Sequence, residues 1–248
     1  MDVLTGYLVF SIGFNLILFL LAYFFQTDKI TDLSYSLTFI AISIYSFIQS
    51  ERSMVDIIIL LLVIIWAIRL GSYLFYRIHA IGRDKRFDQI RERFISFFLF
   101  WLMQGLTCFV VMIPAILINQ ATSKDSNMIV VIGVIIAISG LLLESVADQQ
   151  KFKFKSLNPG KFMNSGVWSY LQHPNYTGKL LFWWSIFIIS LPFSSWYYSI
   201  IGPLWISLII IRFSGISILQ KKWSERYGND PDFVAYSKKT YKLVPFIY

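Results

Sequence analysis

The chain has 248 residues, of which 56% are hydrophobic and 15% are charged, and its mean hydropathy of +0.62 is far above that of a water-soluble domain. The 22 Lys and Arg residues outnumber the 14 Asp and Glu residues, which gives a formal net charge of +8. This composition excludes an ordinary soluble globule, and the single cysteine, Cys108, excludes an intramolecular disulfide and a cysteine-based metal cluster.

Seven apolar stretches approach the roughly 20 residues that an α-helix needs to cross a bilayer. The second and sixth are short for a full crossing, and a Leu-Pro-Phe-Ser-Ser segment alone separates the sixth from the seventh. The predicted spans cover approximately residues 4–25, 33–48, 55–76, 95–118, 128–147, 180–191 and 196–219.

Basic residues segregate to one side of these seven spans, as expected for cytoplasmic loops. With an external N-terminus, only Arg52 and Lys124 fall on the outer side, whereas the inner loops and the tail contain most of the Lys and Arg. We therefore predict an all-α, polytopic membrane protein with about seven transmembrane helices, an external N-terminus and a cytoplasmic C-terminus. No repeat or flexible linker divides the chain, so we predict a single domain over residues 1–248.

Ionisable residues inside predicted spans are functional candidates, because exposure of a charge to lipid is costly. Arg69 in the third span either extends to the inner interface or contacts an anion in a cavity. Glu144 and Asp148 are four residues apart and therefore share one helix face. Because like charges at that spacing repel, they need partners, which are either the following lysines or a ligand's hydroxyl or amide groups. Asp32 stands at the start of the second span, where it serves either as a helix cap or as a functional carboxylate.

The sequence GVWSYLQHPNYTGK at residues 166–179 joins a basic loop to the sixth span. Its glycines and proline predict a turn that presents hydrogen-bonding side chains and aromatic rings at membrane depth, with Pro174 at a helix start. His173 has only His79 as a second histidine, so we predict no metal site. We also predict no nucleic-acid partner, because no groove-reading motif is present. The basic inner segments instead match a phosphate-bearing cofactor or anionic lipid headgroups.

Three sequence blocks together resemble the steroid 5-alpha-reductase-like membrane superfamily, in its branch of domain-of-unknown-function proteins related to sterol reductases. The first, at residues 66–93, contains Arg-Leu-Gly and then Arg-Asp-Lys-Arg-Phe. The second, at 144–176, ends in His-Pro-Asn-Tyr, and the third, at 225–248, contains Glu-Arg-Tyr-Gly, Tyr236 and a final Pro-Phe-Ile-Tyr. The blocks cover roughly the last three-quarters of the chain.

The resemblance implies a membrane oxidoreductase that uses NADPH to reduce an activated carbon–carbon double bond of a lipid or steroid-like substrate. It implies that basic residues bind the cofactor phosphates, that Glu144 and Asp148 hold the cofactor, and that the His-Pro-Asn-Tyr block lines the nicotinamide. The implied catalytic residues are Asp32, Trp66 and Tyr73. The implied cofactor-binding residues are Arg69, Arg83, Arg86, Glu144, Asp148, Lys155, Tyr170, His173, Asn175, Tyr176, Tyr227 and Tyr236.

Three positions depart from the family pattern. Trp66 stands near the position of a tyrosine that polarises the substrate carbonyl, and an indole donates only from its ring nitrogen. The family's carboxylate in the second span is matched at best by Asp32, and Lys179 replaces a residue that is usually acidic.

Two other functions remain open from the sequence. The His-Pro-x-Tyr turn and the tail also resemble isoprenylcysteine-type methyltransferases, which use S-adenosylmethionine. A non-enzymatic membrane protein is the third hypothesis. The expected partners are a lipid or steroid-like small molecule and membrane lipids, and the expected location is the endoplasmic reticulum of a eukaryote or the inner membrane of a bacterium.

Overall fold

The computed structural model describes residues 3–27, 30–81, 90–125, 127–213 and 215–243. A 3₁₀ turn at Gly166–Ser169 and a π-helical segment at Ile209–Phe213 interrupt a chain of α-helices. Within the described residues, the one β-type pairing is an isolated parallel bridge between Leu171 and Tyr241, so the predicted all-α class is confirmed. The helices are α1 (Val3–Phe24), α2 (Thr31–Ile48), α3 (Met54–Ile81), α4 (Phe94–Gln120), α5 (Met128–Leu157), α6 (Pro174–Ser190), α7 (Trp196–Ser199), α8 (Ile201–Leu208), α9 (Ile216–Tyr227) and α10 (Pro231–Lys239).

Six helical stretches in the described part of the chain are long and apolar enough to cross a membrane, which confirms a polytopic membrane protein. They are α1 to α5 and the stretch Trp196–Tyr227, which contains α7, α8 and α9. Helix α6 contains the sixth predicted span but has 17 residues, a length of about 25 Å at the α-helical rise per residue. It is therefore slightly shorter than a hydrocarbon core of roughly 30 Å. The seventh crossing depends on α6, and the orientation of the chain stays a prediction.

Internal contacts divide the chain into two compact units. The first consists of Met1–Val131 and Ile186–Gly202, and the second consists of Ile132–Ser185 and Pro203–Tyr248. Helices α5 and α6 each run from one unit into the other. The prediction of one domain over residues 1–248 stays a prediction.

The first unit is built around α4, which packs against α1 and α2, while α2 also packs against α3. Aromatic rings fill part of this core, with Phe19 of α1 packed against Phe97 and Trp101 of α4. Buried polar groups are satisfied between helices, since Gln104 Nε2 donates to Asn15 Oδ1 at 3.0 Å and to Ser34 Oγ at 2.9 Å. These bonds join α1, α2 and α4 where water is not available as a partner.

A fully buried ion pair in the first unit connects the start of α3 to the loop after α4. Lys124 Nζ lies 2.7 Å from Asp56 Oδ1, and both side chains are completely shielded from solvent. Asp56 also accepts from the backbone N–H of Ser53 at 2.8 Å, and Ser53 Oγ accepts from the backbone N–H of Asp56. This reciprocal pair is a capping box, so the start of α3 and the loop after α4 are fixed by one carboxylate.

The second unit contains most of α5, the first part of α6, and α8 to α10. Its last helix has a complete N-terminal cap, since Asp230 accepts from the backbone N–H of Asp232 and Pro231 occupies the first turn. The C-terminal tail then returns to α6, because Thr177 Oγ1 donates to the carbonyl of Leu243 at 2.5 Å. The tail thereby contacts the sequence block that contains His-Pro-Asn-Tyr.

Candidate functional site

The His-Pro-Asn-Tyr block forms the entry to α6, as the sequence predicts. Pro174 is the first residue of the helix, and the carbonyl of His173 accepts from the backbone N–H groups of Tyr176 and Thr177. Proline suits this position because its missing N–H would have no helical partner there. The block therefore presents the side chains of His173 and Asn175 from a rigid helix start.

Two polar contacts connect α6 to α5 in consecutive turns. Asn175 Nδ2 donates to Asp148 Oδ1 at 3.1 Å, and Lys179 Nζ lies 3.7 Å from Glu144 Oε1. Both carboxylates are nearly inaccessible, with relative exposures of 5% for Asp148 and 1% for Glu144. The two acids that share one face of α5 therefore meet the two α6 side chains that share one face of that helix.

Two glycines allow α5 and α6 to approach this closely. A Cβ atom on Gly178 would lie 2.6 Å from the carbonyl oxygen of Gly140 and 2.5 Å from the backbone nitrogen of Glu144. A Cβ atom on Gly140 would lie 2.7 Å from the carbonyl oxygen of Gly178. Small residues at a helix crossing let the backbones come into contact inside a membrane. This crossing holds Asn175 and Lys179 against the carboxylates of α5.

The tautomer of His173 follows from a chain of side-chain amides. Gln172 Nε2 donates to the carbonyls of Ser237 and Thr240, both at 3.1 Å, so Gln172 Oε1 is the atom that accepts from Gln220 Nε2 at 2.7 Å. The Gln220 Nε2 atom lies 3.2 Å from His173 Nε2 and can donate its remaining N–H to that ring nitrogen. His173 Nε2 is therefore an acceptor, which places the proton of a neutral ring on Nδ1.

The surroundings of His173 keep the ring neutral. It is completely buried and stacks between Trp223, at 5.0 Å between ring centroids, and Tyr176, at 5.7 Å. Burial, together with the positive charges of Lys151 and Lys242, lowers the pKa of His173 to about 3. At neutral pH the imidazole is a hydrogen-bond donor and acceptor without a charge.

Two buried polar atoms at the start of α6 have no hydrogen-bond partner among the described residues. They are His173 Nδ1, which carries a proton in the tautomer derived above, and Asn175 Oδ1. An unsatisfied buried polar group costs free energy, and such groups in folded proteins are rare. One donor and one acceptor, two residues apart, are thus available to a ligand.

An aromatic cluster formed by Phe162, Trp223, Tyr227, Phe233 and Tyr236 lies between the loop after α5 and helices α9 and α10. The hydroxyl of Tyr227 donates to the carbonyl of Gly160 at 2.8 Å, and that of Tyr236 donates to the carbonyl of Trp168 at 2.7 Å. Burial raises the pKa of Tyr236 to about 12. The Tyr236 hydroxyl therefore remains protonated at neutral pH, and both hydroxyls hold the loop after α5 in place.

A cavity of about 930 Å³ opens beside this cluster. Its lining includes Tyr227 and Tyr236 and five charged residues, of which three are cationic and two are acidic: Lys161, Arg226, Lys239, Asp230 and Asp232. Lys155 stands next to it, with its Nζ donating to the carbonyl of Lys161 and lying 5.8 Å from the centroid of the Tyr227 ring. Basic groups on an aromatic wall suit an anionic ligand that also has a flat, apolar part.

The structure brings many of the predicted cofactor residues together within the second unit. Asp148 and Asn175 are hydrogen-bonded, Glu144 is paired with Lys179, and His173 stacks on Tyr176. Lys155, Tyr227 and Tyr236 adjoin the 930 Å³ cavity. Tyr170 is 75% exposed and lines a separate cavity of about 470 Å³ instead.

The remaining predicted residues lie elsewhere in the chain. Arg69, Asp32, Trp66 and Tyr73 belong to the first unit. Asp32 Oδ2 lies 3.4 Å from Arg77 Nη2, and Trp66 is completely buried with its ring edge-to-face on Phe39 at 5.2 Å. Arg83 and Arg86 lie outside the residues that the structure describes.

Sequence reasoning missed the two glutamines that set the protonation of His173. Gln172 directly precedes His173 and was not distinguished from the other turn residues. Gln220 directly follows the last predicted span, after the sequence Ile-Ser-Ile-Leu, and a polar side chain at the end of a span was a usable signal. No group of three His, Cys, Asp or Glu side chains suited to a metal ion occurs in the described segments.

The chain matches a protein-family model over residues 18–240, and the family is described as protein of unknown function (DUF1295). No curated protein and no solved structure matches the chain. Because the family match covers most of the sequence, the chain belongs to the DUF1295 family.

Proposed function

We propose that this DUF1295 membrane protein is an oxidoreductase that uses NADPH to reduce an activated carbon–carbon double bond of a lipid or steroid-like substrate. The observation that carries the proposal is the pair of unsatisfied buried atoms at the start of α6, His173 Nδ1 and Asn175 Oδ1. The carboxamide of a nicotinamide ring has one carbonyl acceptor and one NH₂ donor. Its carbonyl can therefore accept from His173 Nδ1–H, and its NH₂ group can donate to Asn175 Oδ1.

Hydrogen bonds to neighbouring side chains orient both groups before such a ligand binds. Asp148 accepts from Asn175 Nδ2, which leaves Asn175 Oδ1 as the atom that can accept from a carboxamide NH₂. Gln220 Nε2 donates to His173 Nε2, so the Nδ1–H of His173 can donate to a carboxamide oxygen. Groups held in place before binding lose less conformational entropy when the ligand arrives.

The 930 Å³ cavity supports a phosphate-bearing cofactor. Lys161, Arg226 and Lys239 line it, and none of them forms an ion pair with a described residue. NADPH has three phosphate groups, whereas S-adenosylmethionine has none and carries a positive sulfonium. With Asp230 and Asp232 also in the lining, the cavity has one positive charge in excess, and this excess favours the dinucleotide over a methyl donor.

When bound, NADPH supplies a hydride for the carbon beta to the substrate carbonyl, and a proton is added at the alpha carbon. The chain's contribution is to hold the ring from α6 with an uncharged histidine and to exclude water with Trp223 and Tyr176. A donor to the substrate carbonyl would stabilise the negative charge that develops on its oxygen. Asp32, Trp66 and Tyr73 are the residues that we propose for catalysis on the substrate.

The test is ligand-induced thermal stabilisation of the full chain purified in detergent, with NADPH, NADH and S-adenosylmethionine compared at equal concentrations. A ligand at 100 times its Kd stabilises the folded state by about 2.7 kcal/mol, which is readily detected. We expect NADPH to raise the melting temperature, and both Asn175→Ala and Arg226→Ala to remove most of the effect.

The matched controls are Asn229→Ala and Lys222→Gln, which alter exposed residues that do not line the 930 Å³ cavity. Both should retain the NADPH response. Stabilisation by S-adenosylmethionine alone would replace the proposal with methyl transfer. A response to none of the three ligands would favour a non-enzymatic membrane protein.

A further inference from the structure

A second cavity of about 470 Å³ lies where the C-terminal tail meets the entry to α6. Ser169, Tyr170, Lys239 and Tyr241 line it. Tyr170 is the most exposed aromatic residue in the second unit, at 75%, and Tyr241 is 39% exposed. Two large aromatic side chains are therefore kept accessible around one lysine.

Backbone pairing fixes the two tyrosines on opposite segments of this cavity. Leu171 and Tyr241 form the isolated parallel bridge, in which the backbone N–H of Gln172 donates to the carbonyl of Tyr241 at 2.8 Å. The side chain of Gln172 adds a bond to the carbonyl of Thr240 at 3.1 Å. The rim that carries Tyr170 and Tyr241 is thus a rigid element and not a loose loop.

Two polar groups of the cavity, Lys239 Nζ and the Tyr170 hydroxyl, are available to a ligand. Within the described part of the chain, Lys239 forms no ion pair, and the hydroxyl of Tyr170 makes no hydrogen bond. Lys238 precedes Lys239 in the last turn of α10 and adds positive charge at the same end of the helix. An anion with hydrogen-bond acceptors matches this combination of one cation, one hydroxyl donor and further positive charge.

The position in the chain indicates where the anion comes from. Tyr170 lies four residues before Pro174, the start of α6, and α6 continues as the apolar sequence LLFWWSIFIIS. Tyrosine in front of an apolar helix is typical of the membrane interface, where the headgroups of phospholipids lie. Lysines near that surface attract anionic headgroups.

We propose that the 470 Å³ cavity binds the phosphate of an anionic phospholipid headgroup. Lys239 provides the cation, the Tyr170 hydroxyl donates to a phosphate oxygen, and the tyrosine rings contact the glycerol part. The shared chemistry is a phosphate group, which a lipid or free phosphate can supply. The site shares Ser169 and Lys239 with the lining of the 930 Å³ cavity, but none of its steps uses His173 or Asn175. Tyr170 lines the 470 Å³ cavity and not the 930 Å³ cavity, so Tyr170→Phe tests this inference separately from the proposed reductase activity.

The test measures binding of dihexanoyl phosphatidylglycerol and dihexanoyl phosphatidylcholine to the delipidated full chain by native mass spectrometry. The variants are Lys239→Gln and Tyr170→Phe, and the matched controls are Lys222→Gln and Tyr197→Phe, which change exposed residues outside the cavity. We expect the anionic lipid to bind preferentially. We expect Lys239→Gln to weaken its binding about fivefold and Tyr170→Phe to weaken it severalfold, with both controls unchanged.

Two further measurements, with inorganic phosphate and with NADPH, distinguish a lipid from the other possible ligands. Inorganic phosphate that binds with the same sensitivity to Lys239→Gln would support the phosphate site and identify free phosphate as a ligand, whereas no response to phosphate would assign the site to lipid. Equal binding of the two lipids, or loss of binding in the controls as well, would overturn the inference. Displacement of the lipid by NADPH, together with unchanged lipid binding in Tyr170→Phe, would also overturn it, because the lipid would then bind only through the Lys239 that also lines the 930 Å³ cavity.

Discussion

Asn175 Nδ2 donates to Asp148 Oδ1 across 3.1 Å, and this bond connects the first turn of α6 to a buried carboxylate of α5. Replacing Asn175 with aspartate would place two carboxylates in contact at a site where Asp148 is only 5% exposed. We expect Asn175→Asp to lower the free energy of unfolding by about 2–3 kcal/mol, since a buried charged group then loses its donor. Detergent-based unfolding measurements would detect this loss.

The exchange of the two residues provides the matched control. In the double variant Asn175→Asp with Asp148→Asn, an amide again donates to a carboxylate, and we expect most of the stability to return. A double variant as unstable as the single one would show that the contact contributes through something other than this hydrogen bond.

The buried His173 should make the protein less stable as the pH falls. Burial, with the charges of Lys151 and Lys242, lowers its folded-state pKa to about 3, against about 6.5 in the unfolded chain. Between these values the unfolded chain binds a proton that the folded protein does not, so stability falls as pH decreases below about 6.5. From pH 7 to pH 5 we expect this residue to account for a loss of roughly 2 kcal/mol.

The measurement compares melting temperatures of the wild type and His173→Gln between pH 7 and pH 5. The variant cannot take up the proton, so its melting temperature should decline less steeply. Equal slopes for His173→Gln and the wild type would contradict the assigned protonation of this ring.

The fold could be predicted largely because lipid imposes a simple pattern on the sequence. The runs that became α1, α3, α4 and α5 are each long and apolar, and each helix starts within one residue of the predicted span. Two of the predicted ends were too early, since α3 continues to Ile81 and α5 continues to Leu157, ten residues past the predicted end at residue 147. The region after residue 190 was harder, because Ser, Pro and Gly residues divide it into α7, α8, a π-helical segment and α9 within one apolar stretch. Periodicity does not resolve such interruptions.

The candidate site could be predicted in part, and for a physical reason. The spacing of Glu144 and Asp148 placed both on one helix face, and their need for partners was met by Lys179 and Asn175. The lysines that follow in the chain were among the expected partners; of these, Lys179 pairs with Glu144, and Lys151 lies over the ring of Trp168 at 4.7 Å. The roles of Gln172 and Gln220 depend on contacts between distant segments, which local sequence patterns do not encode.

The buried pair of Lys124 and Asp56 should be essential to the stability of the first unit. Lys124→Met leaves the Asp56 carboxylate buried without its cation, and such a change typically costs about 3–5 kcal/mol. Asp125→Asn, at an exposed neighbouring position, should change stability little. The double variant Lys124→Met with Asp56→Asn should recover part of the loss, since asparagine can still cap the N–H of Ser53. No difference between Lys124→Met and Asp125→Asn would refute the prediction.

Gln104 joins α1, α2 and α4 by donating to Asn15 and Ser34. Hydrogen bonds between membrane helices contribute about 0.6 kcal/mol on average, so Gln104→Met, which removes two of them, should cost roughly 1–2 kcal/mol. The adjacent Met103 is exposed on the surface of the unit, and Met103→Leu is the control. Unfolding by SDS in mixed micelles would compare the two, and an equal effect of both substitutions would speak against a specific role for the amide.

Gly178 is a position at which one added methyl group should be strongly destabilising. A Cβ atom there would lie 2.5 Å from the backbone nitrogen of Glu144, and backbone atoms cannot rotate away as a side chain can. Overpacking typically costs about 1–3 kcal/mol, and we expect Gly178→Ala to reach or exceed the upper end of that range. Because the crossing also positions Asn175 and Lys179, any response of the variant to NADPH should be lost as well.

Gly13 of α1 is the matched control for that substitution, because no atom lies within 4 Å of a Cβ built on it. Gly13→Ala should therefore be neutral or should stabilise the protein by up to about 1 kcal/mol through the higher helix propensity of alanine. Both variants replace a helical glycine with alanine, so the change in helix propensity is similar in the two. The difference between their melting temperatures therefore reports the effect of packing around the added methyl group. A Gly178→Ala variant that melts within a degree of Gly13→Ala would mean that α5 and α6 are not in backbone contact.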